Sequence, residues 1–574
     1  MNYPKKYYTY IHISVLLIIC LMIFFPNISS YPFIDTDETK FVSIAKDMLN
    51  YSDWINIKLN GEDVFGLSPL FFWITNLSCV FFGKINMVST RLPISIISTI
   101  VVILTYFRLR NTLTKAYAFI IALILSTCLG TLIFGRIATN DMMSAAIIIM
   151  AILLCYSVIF SKSQRKIPLY WLGIYFLAAL SIMSSGLLGF VIIAFSVVTM
   201  HIFSGNLKEI FKPKNCIPGF ILFLILVLPW PAIMVYKHRM LFIREYLSAY
   251  NFIKYAGFRD YLWVFVFTIF CFLPWSFSFL WILGTKIKDS FISFISYFKD
   301  NSQDKLHEKW FKLKKIDKFI SLNTIVFFTA LFLAILYGSK YTFLILFMVF
   351  PTACIAGRYW YEYIIKKQHD RSIFFATIIP NLALIICSLL GLFGHNIINQ
   401  WISQGFSNLV IPLIVIFFVI PVISIFAVLL KGRIVPFIAN VILMISLSFV
   451  LAPSVFNFMT ANGGENDLIT FANIAKEDQV TLAAYIPSKK YSLIYYYDKP
   501  VLFHENNDIE WLRKYLNDNP FAYVVVEIKE LWDVEEKKIK YMLLDSGNRY
   551  CLIQKMPEIE GYEEPEEEAE VIVY

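Results

Sequence analysis

The feature that most constrains this chain is a long series of apolar runs, each about as long as a membrane crossing. The apolar core of a bilayer is about 30 Å thick and needs about 20 residues of helix. Because 58% of the 574 residues are hydrophobic and only 16% are charged, a soluble fold is excluded. The runs lie near residues 9–30, 91–107, 116–134, 142–160, 168–184, 186–204, 217–235, 261–284, 319–337, 341–357, 372–393, 407–430 and 434–452. The sequence therefore predicts a polytopic α-helical membrane protein with about thirteen transmembrane helices.

The positions of the basic residues predict how these spans are oriented. Lysine and arginine residues precede the first span and follow spans two, four, six, eight, ten and twelve. All of these segments fall on one side of a thirteen-span arrangement, and the positive-inside rule makes that side cytoplasmic. This pattern accounts for the net charge of +9 better than an affinity for nucleic acid would.

The opposite side of the membrane collects the unusual polar residues. The segment 237–260 carries basic residues that the positive-inside rule does not explain, and Arg136 lies on the same side. Cations kept on this face are expected to bind an anionic group. The polar segments are "DTDETKF" at 35–41, "GRIATND" at 135–141, "KHRMLFIREYLSAYNFIKYAGFRD" at 237–260 and "GSKY" at 338–341.

The first outer loop, residues 31–90, is predicted to contain helices that lie in the membrane interface. Glu38 to Leu49 has its apolar residues on one helical face, so it predicts an amphipathic helix with acids at its start. The run "GLSPLFFWITNLSCVFF" is apolar and aromatic enough to lie in the interface as well.

After the last span the composition changes to that of a small α/β domain outside the membrane. Residues 456–556 alternate strand-like runs ("YSLIYYY", "AYVVVEI", "RYCLIQK") with helical stretches ("NDIEWLRKYLND", "LWDVEEKKIKYML"). Residues 557–574 form an acidic tail that is predicted to be disordered. The predicted domains are therefore 1–455, 456–556 and this tail.

Two acids on the outer face, Asp37 and Asp141, suggest a transfer site. A carboxylate there would orient or deprotonate an acceptor, and nearby Lys or Arg would hold a phosphate leaving group. The alternative is helix capping, since Asp141 stands at the start of span four. Capping explains Asp37 less well, because Glu38 beside it would repel it without a counter-charge. No nucleotide-binding motif is present, so a soluble nucleotide donor is not supported.

The ordered set of motifs resembles the GT-C glycosyltransferases of the ArnT and protein-O-mannosyltransferase superfamily. Those enzymes open the first outer loop with Asp-Glu-x-Arg-Tyr, "sGDW…hLnG" and "YFEKPPLxYW", to which "DTDETKF" and "DMLNYSDWINIKLNGEDVFGLSPLFFW" are similar. The likeness covers residues 1 to about 450, and a small outer C-terminal domain is typical of the ArnT branch. The other similar stretches are "RLPISIIS", "RIATNDMM", "NFIKY", "LPWSFSFLW" and "SKYTFLILFMVFP".

The resemblance implies an enzyme of the bacterial inner membrane that uses a lipid-linked sugar. In this family the donor is a polyprenyl-phosphate sugar, and in the ArnT branch the acceptor is lipid A phosphate at the periplasmic face. The implied partners are an undecaprenyl-phosphate-linked sugar, most simply an amino sugar, lipid A or another envelope glycan, and the bilayer. The C-terminal domain would be periplasmic.

The resemblance also assigns roles to individual residues. Asp37 would be the main catalytic carboxylate, with Glu38 beside it and Asp141 as the second acid. The residues implied to bind substrate are Lys40, Arg136, Lys237, Arg239, Lys254, Lys340 and Tyr341. Lys40 and Lys254 replace arginines of the family motifs, so the charge remains while the bidentate phosphate contact is lost.

Other departures remove charged groups. Gly66 and Leu67 stand where the family has Glu and Lys, and Ser185 stands where it has a lysine. Because the acid linked to metal contact is missing, no metal is predicted, and no cofactor either. Either other outer-face cations (Lys237, Arg239 or Lys340) compensate, or donor choice has changed, or activity is lost.

Two other classes of function remain open. A transporter or flippase for a lipid-linked sugar usually binds at the bilayer midplane and carries internal repeats, whereas here the charges lie at the outer interface and no repeat is visible. A catalytically inactive GT-C relative could serve as a binding subunit, which the missing lysines favour.

Overall fold

The structure of the chain is a computed structural model that divides into two compact units, Met1–Phe458 and Met459–Tyr574. It describes residues 7–35, 37–161, 163–249, 258–285, 314–337, 342–368, 372–401, 407–450, 456, 460, 463–504 and 508–556. Among these residues the regular structure of the first unit is helical apart from one short hairpin, and the second unit contains a five-stranded sheet.

The helices of the first unit follow the apolar runs of the sequence. Each of the thirteen predicted runs overlaps one helix or two consecutive helices. In chain order the helices are α1 Tyr7–Phe24, α2 Asp37–Asn50, α3 Leu70–Phe82, α4 Met87–Thr112, α5 Lys115–Ser126, α6 Leu129–Phe134, α7 Asn140–Ile159, α8 Ile167–Ser185, α9 Leu187–Phe203, α10 Pro213–Val227, α11 Pro229–His238, α12 Met240–Ser248, α13 Phe258–Cys271, α14 Ser276–Thr285, α15 Lys315–Tyr337, α16 Thr342–Ile364, α17 Ile379–Trp401 after a π-helical turn Phe374–Ile378, α18 Ser407–Leu429 and α19 Val435–Val450.

Seven helices within the described ranges are long and apolar enough to cross a membrane, which makes the chain a multi-span membrane protein. The count is eight if Leu262–Cys271 and Ser276–Thr285, which meet at 111°, form one bent span. Several other apolar helices, including Tyr8–Phe24 and Val435–Val450, have only 10–17 residues. The total of thirteen spans stays a prediction.

The first outer loop folds into two helices joined by a short antiparallel hairpin, β1 Lys58–Leu59 and β2 Glu62–Asp63. The predicted amphipathic helix is α2, whose aromatic residue Phe41 packs on Phe71 and Phe72 of α3 with ring centroids 5.2 and 5.7 Å apart. The opposite face of α3 exposes apolar side chains, with Phe81 at 85%. An apolar face of this kind suits the membrane interface.

The second unit is built on a mixed sheet of strand order β4-β3-β5-β7-β6. Strands β3, β4 and β5 are parallel, while β7 pairs antiparallel with both β5 and β6. The strands are β3 Leu482–Tyr485, β4 Leu502–His504, β5 Tyr523–Glu527, β6 Tyr541–Ser546 and β7 Tyr550–Lys555, and the helices are α20 Glu465–Glu477, α21 Tyr491–Tyr497, α22 Ile509–Asp518 and α23 Leu531–Glu536.

Two local expectations for this unit were wrong. The run "YSLIYYY" forms helix α21 rather than a strand, and its residues Leu493 and Ile494, adjacent in sequence, are both buried. Aromatic and β-branched residues suit strands only where a pleated surface is available to pack them. The stretch "LWDVEEKKIKYML" is helical only to Glu536, and its last residues enter strand β6. The predicted acidic tail, 557–574, lies outside the described residues.

Candidate active site

The acids of "DTDETKF" play different structural parts. Asp37 is the first residue of α2 and is exposed, whereas Glu38 is 2% exposed. Glu38 meets Arg91 of α4 in a bidentate ion pair, with Nε–Oε1 at 2.7 Å and Nη2–Oε2 at 2.8 Å. Arg91 is itself fully buried, and its guanidinium lies 3.8 Å from the centre of the Tyr31 ring. Asp37 and Glu38 do not compete for Arg91, because only Glu38 faces the interior.

The Glu38–Arg91 pair connects three segments of the chain. Besides Arg91, Glu38 accepts hydrogen bonds from the backbone N–H of Ile34 at 2.9 Å and of Ala138 at 2.8 Å. Arg91 donates to the carbonyls of Ile28, Tyr31 and Pro32 at 2.6, 3.1 and 3.0 Å. Both carboxylate oxygens of Glu38 therefore accept hydrogen bonds, and this geometry favours a positioning role for Glu38. The catalytic role of Glu38 stays a prediction.

The second acidic motif lies close to the first. Asp141 is half-buried in the first turn of α7 and is near enough to Asp37 for their charges to repel. Its carboxylate also accepts a hydrogen bond from the backbone N–H of Phe343, in the first turn of α16. Two helix N-termini thus offset the repulsion between the acids. The N-cap position of α7 is Thr139, so Asp141 is not the cap.

A hydrogen-bonded network holds this motif to the end of α8. Asn140 donates to the carbonyl of Ser184 at 2.8 Å, and the Ser184 hydroxyl donates back to Asn140 Oδ1 at 2.8 Å. The Ser144 hydroxyl lies 2.7 Å from that of Ser184. Neighbouring Ser185, the residue in place of the family lysine, turns its hydroxyl back to the carbonyl of Ser181 at 3.1 Å.

Arg136 does not face the outer surface. It is fully buried and donates through Nη1 to the carbonyl of Ser448 at 2.7 Å and through Nη2 to the carbonyl of Pro26. Both contacts are with backbone groups of α19 and of the segment after α1. The geometry favours a structural role, and its predicted role in substrate binding remains a prediction.

Lys237 and Arg239, two of the cations predicted to bind substrate, lie at the bend between α11 and α12. Both are exposed, and Arg239 adopts a left-handed backbone conformation with φ +51°. Non-glycine residues in that conformation cost free energy and cluster at functional sites. Lys40 is half-buried in α2, three residues after Asp37. Lys254, Lys340 and Tyr341 lie outside the described residues.

The first outer loop is fastened to this bend by polar contacts. Trp230 Nε1 donates to the carbonyl of Ile55 at 3.0 Å, and His238 Nε2 lies 3.1 Å from Asn56 Oδ1. Asp53 accepts three hydrogen bonds, from the backbone N–H of Asn56 at 3.0 Å and of Ile55 at 3.2 Å, and from Asn56 Nδ2 at 2.6 Å. Burial raises the pKa of Asp53, but these bonds and the charge of Lys237 outweigh it and hold the pKa below its usual value.

This fastening predicts a local stability that depends on pH. A carboxyl whose pKa is depressed stabilises the fold above its unfolded pKa, about 4, and loses that contribution as the pH falls through the folded value. Asp53→Asn is expected to lower the free energy of local opening of the loop by about 1 kcal/mol, which raises the equilibrium constant for opening about fivefold. Hydrogen exchange of residues 51–64 measures this. Wild type should lose protection on acidification and the variant should not; identical profiles would contradict the expectation.

Gly66 packs closely against the end of α12. A Cβ atom built on Gly66 would lie 3.1 Å from Cβ of Ala249, so a side chain at this position would require Ala249 to move by a few tenths of an ångström. Within the described part of the chain, no three His, Cys, Asp or Glu side chains are arranged to hold a metal ion.

Sequence reasoning missed Arg91 as a residue of this site. "RLPISIIS" was used only as a marker of the second span, although a charge at the edge of an apolar run requires a buried partner. Asp53 and Trp230 were also missed. The contacts of Asp53 with Ile55 and Asn56 are local turn contacts, which an Asp followed by an Asn three residues later could have indicated. Trp230 meets Ile55 across 175 residues, and no local sequence signal identifies that contact.

Comparison with known proteins finds a family match and one related sequence, each over part of the chain. Residues 67–233 match the family described as dolichyl-phosphate-mannose-protein mannosyltransferase, PMT_2. An uncharacterized protein of Aquifex aeolicus is 26% identical over 277 residues, which are 48% of this chain and 54% of that protein. The chain thus matches about half the length of this curated relative.

The fold is similar to that of solved membrane glycosyltransferases. ArnT from Cupriavidus metallidurans in the apo state matches with a TM-score of 0.73 and 13% identity, over 96% of this chain and 99% of ArnT. The same protein bound to undecaprenyl phosphate matches with a TM-score of 0.71 and 13% identity, over 98% and 100%. The oligosaccharyltransferase of Archaeoglobus fulgidus matches with a TM-score of 0.52 and 10% identity, over 92% of this chain and 70% of that protein. The chain therefore has the fold of ArnT, and residues 67–233 within it match the PMT_2 family.

Proposed function

We propose that the chain transfers a sugar, and most simply an amino sugar, from undecaprenyl phosphate to lipid A phosphate or a related envelope acceptor. The reaction would take place at the periplasmic face of a bacterial inner membrane, with the C-terminal unit in the periplasm. The observation that carries the proposal is the exposed Asp37 beside Asp141, in a loop that is fastened to a bend with two exposed cations. The ArnT structure that holds undecaprenyl phosphate supports the choice of donor.

In the proposed reaction an acceptor oxygen attacks the anomeric carbon of the sugar. The bond between that carbon and the phosphate oxygen breaks, and undecaprenyl phosphate leaves with the electron pair. Lys237 and Arg239 would stabilise the departing phosphate more than the intact diester, because negative charge grows on it during the reaction. Lys40, Lys254, Lys340 and Tyr341 are proposed to complete the substrate contacts. No cofactor or metal is part of the proposal.

The role of Asp37 depends on the acceptor. A phosphate acceptor is already ionised at neutral pH, so Asp37 would orient it. A hydroxyl acceptor must lose its proton, so Asp37 would act as the general base. Asp141 is proposed as the second acid of the site, and Glu38 as the residue that fixes the start of α2 through Arg91.

Mass spectrometry of lipid A tests the proposal directly. Lipid A from cells that carry the gene is expected to contain a sugar-sized addition that is absent from cells lacking it. Wild-type protein should restore the addition, and Asp37→Asn protein at equal abundance should not.

The same experiment tests the competing assignments. Unchanged lipid A together with a lost sugar on another envelope glycan would reject lipid A as acceptor and keep the transferase. Restoration by Asp37→Asn would reject the catalytic role of this acid and favour an inactive GT-C relative, which the replacement of family charges by Gly66, Leu67 and Ser185 also favours.

A further inference from the structure

In the second unit, the carboxyl ends of three parallel strands meet at one edge of the sheet. The chain passes from β3 to β4 on one side, and after β4 it returns to β5 on the other side of β3. Open α/β sheets form a crevice at such a reversal, above the carboxyl ends of the strands, and bind ligands in it. Strand β3 ends at Tyr485, β4 ends at His504, and the turn after β5 ends at Glu530.

Glu530 is a buried carboxylate that lacks a full set of partners. It is 6% exposed, and no residue that the structure describes donates a hydrogen bond to its Oε2. The nearby cations Lys529 and Arg549 both form ion pairs with Glu527, at 3.0 and 3.1 Å. Burial and the charge of Glu527 raise the pKa of Glu530, while Lys529 opposes the rise. A buried carboxylate with an unpartnered oxygen is stabilised by a further positive charge.

Tyr485 lies between the two sides of the crevice. Its hydroxyl interacts electrostatically with Glu530 and Asp533 on the β5 side and with Asp508 on the β4 side. Burial, followed by these three acids, raises the pKa of Tyr485 to about 12. Since Asp508 and Asp533 are exposed, the acidic group extends from the buried Glu530 to the surface.

A stack of aromatic rings forms the β4 side of the crevice. His504 stacks on Trp511 with ring centroids 4.3 Å apart, and Trp511 stacks on Tyr515 at 5.1 Å. His504 Nδ1 is buried and has no hydrogen-bond partner among the described residues. An apolar wall of this kind lowers the local dielectric constant, which strengthens charge-assisted hydrogen bonds beside it.

We propose that this crevice binds a small molecule that carries a protonated primary amine. An ammonium group has three N–H donors. Their proposed acceptors are Glu530 Oε2, the Tyr485 hydroxyl oxygen and the carboxylate of Asp508 or Asp533. A neutral ligand would leave the buried charge uncompensated, and an anion would be repelled by three acids.

Binding of glucosamine and N-acetylglucosamine to the full-length protein in nanodiscs tests the proposal. The two sugars differ in the amino group, which is charged only in glucosamine. Saturation-transfer NMR is expected to show glucosamine bound at least about tenfold more tightly, the usual effect of one charge-assisted hydrogen bond. Glu530→Gln should reduce glucosamine binding by a similar factor. Asp508→Asn, which retains a capping side chain at the start of α22, should reduce it as well.

Glu536→Gln is the matched control, because Glu536 is an exposed acid at the end of α23. It should bind glucosamine as wild type does. Equal binding of the two sugars, or equal losses in the Glu536 and Glu530 variants, would overturn the proposal. The proposal goes beyond the proposed function and does not depend on it: Asp37→Asn protein, in which sugar transfer is expected to fall, should bind glucosamine normally.

Discussion

Asp37→Asn is expected to reduce sugar transfer by about 10²–10⁴-fold, with folding unchanged. Asp37 is exposed at the first turn of α2, so an isosteric amide fits without a steric clash. The amide cannot accept a proton, and it removes the charge that is proposed to orient an acceptor beside Asp141. Purified protein, undecaprenyl-phosphate sugar and acceptor lipid allow the rate to be measured directly.

Glu62→Gln serves as the matched control for Asp37→Asn. Glu62 is an exposed acid of the same outer loop, in hairpin strand β2. It should keep wild-type activity, and both variants should melt at the wild-type temperature. An Asp37→Asn protein with more than about one tenth of wild-type activity would contradict the catalytic assignment.

The pH dependence of the remaining rate identifies the role of Asp37. If the acceptor is a hydroxyl, wild type should lose activity as the pH falls, because a protonated carboxyl cannot act as a base. That loss should be absent from the Asp37→Asn profile. If the acceptor is a phosphate, the two profiles should have the same shape and differ only in magnitude.

The spans and the outer loop were predictable because their signals are local in sequence. Apolar runs long enough for a bilayer became helices, and the apolar face of residues 38–49 became α2, which covers 37–50. The proximity of Asp37 and Asp141 was expected only from the resemblance to a family, since no local pattern connects residues 104 positions apart.

The roles of Glu38 and Arg136 were not predictable, because they depend on tertiary contacts. The sequence places both beside outer-face motifs, yet the fold turns each side chain toward the interior. Arg136 meets backbone carbonyls at residues 26 and 448. The helix α21 was misassigned for a similar reason, because its aromatic run suits a strand until the packing of the unit is known.

The Glu38–Arg91 pair provides the prediction with the largest expected effect on stability. Arg91→Met removes the cation and leaves Glu38 buried with one partner missing on each oxygen. Breaking a buried ion pair in this way costs about 3–5 kcal/mol. Carbonyls at Ile28, Tyr31 and Pro32 also lose their donor, so the loss should lie toward the upper end of that range.

Thermal unfolding in detergent compares this variant with Lys476→Met, which breaks the exposed pair of Lys476 and Asp498. An exposed pair contributes about 0–1 kcal/mol, so the control should melt close to wild type. Glu38→Gln should resemble Arg91→Met, and the double variant should be less destabilised than the sum of the two, because each single change already breaks the pair.

Activity should fall in both single variants, since Glu38 also holds the N–H of Ala138 three residues before Asp141. A fully stable Arg91→Met protein with reduced activity would instead place Arg91 among the substrate-binding cations.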